Sequence, residues 1–365
     1  MSVADRVNRQ WVLARRPQGQ VRLEDFARRD ASVPVADLAA GEVLVRMVLF
    51  GFDPAQRGWM DDRLSYMPPI AIGEPVRGSA AARVVASTNP AYPEGALVRG
   101  LFSWRDYAVV ARAGEAAPVL IPEGVTPEEA LGVLGGASLT AWVGLKTVGR
   151  LGADDTVLIS GAAGAVGSLA VQIAHLNGAR VIGIAGGTEK CRWLVEDYGA
   201  DAAIDYRHED VAARLAALAP DGIDLFFDNV GGETLEAGIA HIARFGRIVL
   251  CGAIAGYNDA TPAPGPRNLM RMIAQRAEMR GFILLDHLAE VPVAMAELEG
   301  WLRAGQIQYR TDIQQGFDAI PATFLRLFSS ASQGKQLLRI EDADVKSGLP
   351  PAPAAKVMQE YPSRS

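Results

Sequence analysis

Val157-Leu158-Ile159-Ser160-Gly161-Ala162-Ala163-Gly164-Ala165-Val166-Gly167 decides how this chain folds. Its first residues are small or β-branched, as a buried strand requires, and apolar residues recur at helical spacing from Val166 to Leu176. Between them lies a tight Ala/Gly turn, so the stretch opens a βαβ unit. Ala162, Gly164 and Gly167 take the three places of a dinucleotide-binding turn. Small residues there let the chain turn, let the backbone approach a pyrophosphate, and let the helix pack closely on the strand. The pyrophosphate sits on unpaired N–H groups at the helix N-terminus, where the dipole favours negative charge. Glycine-rich turns are also common structural devices; the strand–turn–helix context is what favours a nucleotide.

The same alternation continues outward from this stretch. Strands are expected at Thr156–Ser160, Arg180–Ala185, Ala202–Asp205, Ile223–Phe227, Arg247–Cys251 and Met279–Leu284, with helices at Gly164–Asn177, Thr188–Tyr198, Glu209–Ala219, Thr234–Ala243 and Arg267–Gln275. Six strands with crossover helices make a doubly wound parallel α/β sheet, whose ligand crevice lies at the carboxyl ends of the strands. The first 120 residues lack this alternation. Gln10–Ala14, Val21–Phe26, Glu42–Phe50, Gly73–Ala86, Ala96–Phe102 and Tyr107–Ala111 resemble strands punctuated by Pro and Gly, as in a barrel-like β domain. A boundary falls near Ile121-Pro122-Glu123-Gly124, after which Thr126 caps a helix with Pro127 in its first position. Beyond a helix ending near Arg303, Ile307–Gln314, a helix around Pro321–Phe328 and a strand Gln336–Ile340 read as a return to the first domain. The division is thus 1–125, 126–305 and 306–345, with a loosely ordered tail at 346–365.

Composition bounds the function. The chain has 365 residues, enough for two domains, with 38 glycines, 21 prolines and a net charge of −6. That charge argues against a nucleic-acid surface, which clusters Lys and Arg. No apolar run approaches the ~18 to 20 residues that span a bilayer, and the N-terminus is polar, so no membrane role and a cytoplasmic location are expected. Cys191 and Cys251 are the only cysteines, too few for a disulfide framework or a cysteine zinc cluster, and His175, His208, His241 and His287 lack metal-ligand spacing. No metal is expected.

The second strand indicates the cofactor. An NAD-preferring fold usually ends this strand with a carboxylate for the ribose 2′-hydroxyl. Here Val181–Ala185 runs into Gly186-Gly187-Thr188-Glu189-Lys190, with no carboxylate at the strand end. Gly186, Thr188 and Lys190 offer room, a hydroxyl and a positive charge to a 2′-phosphate, which favours NADPH. Lys190 also fits a solvated helix position.

At this point the residues resemble a family. Phe52-Asp53-Pro54-Ala55-Gln56-Arg57-Gly58-Trp59-Met60, Pro68-Pro69-Ile70-Ala71-Ile72-Gly73-Glu74-Pro75, Leu134 to Leu145, the turn at Gly161–Gly167, Phe227-Asp228-Asn229-Val230-Gly231-Gly232, Cys251 to Asn258 and Gly334-Lys335-Gln336-Leu337-Leu338 follow in order. This order resembles the medium-chain dehydrogenase/reductase superfamily, within it the zinc-independent, NADPH-dependent alkenal/one double-bond reductases that include prostaglandin reductases and curcumin-reductase-like enzymes. The resemblance implies a GroES-like β-barrel domain formed by both chain ends, a Rossmann domain, an active site between them, and a homodimer. Gly73-Glu74-Pro75 stands where zinc-dependent relatives carry Gly-His-Glu, so no Lewis acid for alcohol oxidation is implied.

The resemblance further implies that Gly164, Ala165, Val166 and Gly167 hold the pyrophosphate, that Lys190 and Tyr206 contact the 2′-phosphate, and that Thr140, Asn229 and Ser332 lie along the cofactor. Tyr257 is the candidate catalytic side chain, with a packing role in the cleft as its rival. Trp59, Tyr66, Trp104, Tyr257 and Phe282 are the expected pocket walls. Two departures stand out: Ala55-Gln56 replaces a Tyr-Met pair, and Ser332 replaces an Asn. The implied reaction is hydride transfer from NADPH to the β-carbon of an enal or enone, with a donor at the carbonyl oxygen where charge develops. A quinone reductase of the same superfamily, and an NADPH-binding sensor without turnover, remain as alternatives.

Overall fold

A computed structural model describes residues 7–33, 38–63, 65–110, 117–261, 264–329 and 331–340. Strands β1 (Val7–Leu13) and β2 (Phe26–Ser32) pair antiparallel. A second sheet contains β3 (Val43–Gly51), β4 (Arg77–Ser87), β5 (Leu97–Ser103), β6 (Tyr107–Val110) and β7 (Val119–Leu120), with the short helix α1 (Ala55–Gly58) between β3 and β4. Its core gathers Leu13, Phe26, Val45, Met47, Phe50, Phe52 and Trp104.

The chain leaves this half through α2 (Pro127–Leu131) and α3 (Gly136–Trp142), the latter continuing as a π-helical run over Val143–Val148. The cap expected at Thr126 is present: its backbone N–H donates to Glu129 Oε2 at 2.8 Å and the Glu129 N–H donates to its Oγ1 at 3.2 Å. Six parallel strands follow, β8 (Thr156–Ile159), β9 (Arg180–Ala185), β10 (Ala202–Asp205), β11 (Ile223–Asp228), β12 (Ile242–Leu250) and β13 (Glu278–Gly281). They are ordered β10-β9-β8-β11-β12-β13, so the winding reverses between β8 and β11 and opens a crevice at their carboxyl ends. Helices α4 (Ala165–Leu176), α5 (Thr188–Glu196), α6 (Val211–Leu218), α7 (Gly232–Ala240), α8 (Met270–Gln275) and α9 (Val291–Arg303) make the crossovers and flanks. Val157, Leu158 and Ile159 are fully buried, each contributing ~1.5–3 kcal/mol as a core side chain.

The last elements, β14 (Thr311–Gln315), α10 (Ile320–Leu325) and β15 (Lys335–Arg339), rejoin the first half. β15 pairs antiparallel with β3 and parallel with β14. Both chain ends therefore build the mixed sheet.

Several boundaries differ from the sequence expectation. Of Val21–Phe26 only Phe26 is in a strand, as the start of β2: Leu23–Asp25 forms a 3-10 turn in which the buried Asp25 carboxylate accepts the Arg22 N–H at 2.8 Å and pairs with Arg15. Gly73 turns with φ +85°, so that strand starts only at Arg77. The helix expected to reach Ala243 stops at Ala240, since Ile242 already pairs with Ile223 in the sheet. The last parallel strand ends at Gly281, freeing Phe282 and Ile283 from the ladder, and Arg267–Leu269 precedes its helix as a turn. Ala111 and the expected tail from Lys346 lie outside the described residues.

Candidate active site

The quoted turn leaves β8 at Gly161, whose φ of +57° only a glycine holds without strain. A Cβ on Gly167 would stand 2.7 Å from Ala162 Cα, so the helix start is pressed against the strand end. Gly164 has a single neighbour at that distance scale, Gly161 O at 3.2 Å, leaving its other side open. No side chain caps α4, and the N–H groups of Ala165, Val166 and Gly167 form its bare first turn. Such a cradle fits a pyrophosphate. Gly334 bridges to Gly164, so the segment entering β15 crosses beside this turn.

The second part lies at the ends of β9 and β10. A Cβ on Gly186 would stand 2.7 Å from the Tyr206 ring, which therefore packs directly against that glycine. The Gly187 N–H donates to Asp205 Oδ1 at 2.8 Å, fixing the turn into α5, where Thr188 is exposed. Lys190 Nζ donates to the Ser332 carbonyl at 3.0 Å. Burial, then the neighbouring Arg207 charge, pushes its pKa below the ordinary lysine range. Two neighbouring cations at the ends of these strands suit a dianionic phosphate. Sequence reasoning missed Arg207, although it adjoins Tyr206 in the same loop.

The third part bridges β8 and β11. Ser160 Oγ donates to Asp228 Oδ1 at 2.6 Å, while the Asn229 N–H donates to Ser160 Oγ at 2.8 Å and its Nδ2 to the Ser160 carbonyl at 2.7 Å. Asn229 thus ties the two central strand ends together. Asp228, quoted in the sequence only as part of a motif and given no role there, is fully buried and accepts the Val230 and Gly231 N–H groups. Its pKa is raised by burial against these bonds. Thr140 stands half-exposed on α3 with its hydroxyl donating back to Gly136 O at 2.7 Å.

Past the ends of β11, β12 and β13 lies a cavity of about 560 Å³. Leu235, Leu250, Cys251, Tyr257, Phe282 and Ile283 line it, all from the parallel-sheet half. Phe282 is wedged there because Gly144, in the π-helical run, has no side chain: a Cβ would lie 2.8 Å from the ring. The Tyr257 hydroxyl oxygen accepts the Ala253 N–H at 3.3 Å, which leaves its proton available to a ligand. Burial pushes Tyr257 above the ordinary tyrosine range, so it stays a neutral donor. The Cys251 thiol is pushed up to about 12, again by burial, and is no nucleophile at neutral pH.

The expected walls divide. Tyr257 and Phe282 meet in the cavity. Trp59 and Tyr66 form a separate pair in the mixed-sheet half, Trp59 Nε1 donating to the Tyr66 hydroxyl at 3.1 Å, and burial pushes Tyr66 above the ordinary tyrosine range against that bond. Trp104 is no wall. It is fully buried, with ring centroids 5.3 Å from Phe26, 5.8 Å from Phe52 and 5.5 Å from Phe324. A core in need of a large apolar side chain has taken the indole inward. Gln56 is likewise spent inside, accepting the Asp53 N–H and donating to Arg77 O. Among the described residues no group of three His, Cys, Asp or Glu is placed to hold a metal, and no helix is long and apolar enough to cross a membrane.

The chain is similar to known proteins in sequence and fold. Residues 9–118 match the model of the N-terminal domain of oxidoreductase, and residues 165–300 that of the zinc-binding dehydrogenase. The NADPH-dependent curcumin reductase of Escherichia coli is 36% identical, covering 92% of this chain and 98% of its own. Prostaglandin reductase 1 of Rattus norvegicus is 34% identical, covering 90% and 98%. The crystal structure of CurA in complex with NADPH from Vibrio vulnificus superposes with a TM-score of 0.86 at 36% identity, over 92% of this chain and 99% of that one. Sequence order, fold and these relatives agree, and the chain belongs to the zinc-independent reductase family of the medium-chain dehydrogenase/reductase superfamily.

Proposed function

We propose that this NADPH-dependent oxidoreductase reduces the carbon–carbon double bond of α,β-unsaturated aldehydes or ketones. The observation that carries this reading is Tyr257: a neutral, half-buried phenol with a free proton, at a cavity opening on the strand ends that face the dinucleotide turn. The turn at Gly164–Gly167 holds the pyrophosphate, Lys190, Arg207 and Tyr206 take the 2′-phosphate, and Thr140, Asn229 and the Ser332 segment flank the rest. Bound NADPH supplies the hydride that goes to the β-carbon. Tyr257 donates to the carbonyl oxygen as negative charge gathers there, an interaction stronger in the transition state than in the ground state. Phe282 and Leu250 form apolar walls that exclude water, and Trp59 and Tyr66 face the substrate from residues 1–125.

The enzyme is taken as a cytoplasmic homodimer. Supporting this are two free cysteines, the open sheet edge at β13, and the exposed side chains of Met270 and Ile273 beside it. Comparing NADPH-dependent turnover of a 2-alkenal series with that of a naphthoquinone tests the substrate class: higher kcat/KM on the alkenals is expected, and preference for the quinone overturns it. Turnover should also stay level through neutral pH. A phenol whose pKa lies above the ordinary tyrosine range keeps its donor proton until that range is passed, so decline is expected only on the far alkaline side.

A further inference from the structure

Arg57 lies in α1 of the mixed-sheet half, only 2% exposed, and each of its three nitrogens has a partner. Nη1 pairs with Asp61 at 2.6 Å, Nη2 donates to the Gly19 carbonyl at 3.0 Å, and Nε donates to Asn258 Oδ1 at 3.3 Å. The same Asn258 oxygen accepts the Val21 N–H at 3.3 Å. Gly19, with φ +70°, packs against this loop, since a Cβ there would meet Asn258 O at 3.6 Å and Ala260 Cβ at 3.8 Å. Asn258 directly follows Tyr257. Among the described residues of its own half, Tyr257 is tied locally, by the Ala253 N–H on its hydroxyl and by its own N–H to Ile254 O at 3.3 Å.

We propose that Arg57 and Asn258 form a clasp between the two halves that aims the Tyr257 hydroxyl. A buried guanidinium demands hydrogen-bond acceptors, so its position is fixed by Asp61 and Gly19, both in the mixed-sheet half. Through Asn258 that fixed point is handed to the loop carrying the phenol. Both are positioning residues, and their role rests on the assignment of Tyr257 as donor. Asn258 is the better site to cut, because Asp61 continues to compensate the Arg57 charge when the amide is gone.

The test compares Asn258→Ala, Asn258→Asp, Tyr257→Phe and the double variant Tyr257→Phe/Asn258→Ala in the full chain with NADPH and a 2-alkenal. Asn258→Ala is expected to lower kcat about tenfold with KM for NADPH unchanged. Asn258→Asp, which keeps an oxygen for both donors, should restore most of that loss. The double variant should be no slower than Tyr257→Phe alone, because a clasp acting through the phenol has nothing left to aim. Unchanged kcat in Asn258→Ala, a failed rescue by Asp, or losses that multiply in the double variant each overturn the clasp. Amide hydrogen exchange over residues 253–260 separates the two claims: faster exchange in Asn258→Ala establishes the tether even where Tyr257→Phe itself proves fully active, a result that overturns the donor assignment and the aiming with it. Unchanged exchange there overturns the tether.

Discussion

The two halves of this molecule use their large side chains differently. In the parallel-sheet half, the proposed site sits past strand ends: the Gly161–Gly167 turn, the Gly186 loop and the Asn229 tie leave β8, β9 and β11, and Tyr257 lies in the loop after β12. In the mixed-sheet half, aromatic residues from distant segments converge, and Trp104 meets Phe26, Phe52 and Phe324 across about 300 residues of chain. A position at a strand end is announced by local spacing. A position in a barrel-like core is decided by partners that spacing does not reveal.

The sharpest way to break that contrast is to cut the core indole. Trp104→Ala should cost about 3–5 kcal/mol in stability, read by chemical denaturation, because a fully buried side chain of this size leaves a cavity behind. Folded Trp104→Phe should keep its KM for alkenal, whereas a raised KM would return Trp104 to the pocket. The strand-end counterpart is Lys190→Ala with Arg207→Ala. Removing charged donors worth about 1.5–3 kcal/mol should weaken NADPH binding about 10- to 100-fold and leave NADH nearly unchanged, measured by titration of cofactor fluorescence. Equal weakening of both cofactors would show the pair to be structural. Smallest of these is Tyr66→Phe, which takes from Trp59 Nε1 its acceptor: about 1 kcal/mol of stability and a few-fold rise in substrate KM are expected from denaturation and initial rates.

How much was legible follows the same line. The βαβ order, the dinucleotide turn and the Thr126 cap were readable because each is a short-range pattern with a fixed physical cause. The return of the C-terminal segment to the first half was readable from the strand-like runs after Ile307 and from the family resemblance, and β15 does pair with β3. Arg207 escaped notice because its meaning depends on the Lys190 charge, 17 positions away in the sequence and near enough in the fold to act on it. Trp104 misled because an aromatic between two strands looks alike whether it faces core or cleft. Gln56, a departure from the family motif whose role the spacing does not reveal, is a brace between Asp53 and Arg77. Asp228 was quoted only as part of a motif, yet its buried carboxylate organises the turn that carries Asn229.

The central claim is that the Tyr257 hydroxyl donates to the carbonyl oxygen during hydride transfer, and the turnover number of Tyr257→Phe with NADPH and a 2-alkenal tests it most directly. A loss of ~10²-fold or more at unchanged NADPH affinity is predicted, as for removal of a donor aimed at developing charge. A loss of only a few-fold would contradict it and leave Tyr257 as a packing residue of the cavity wall.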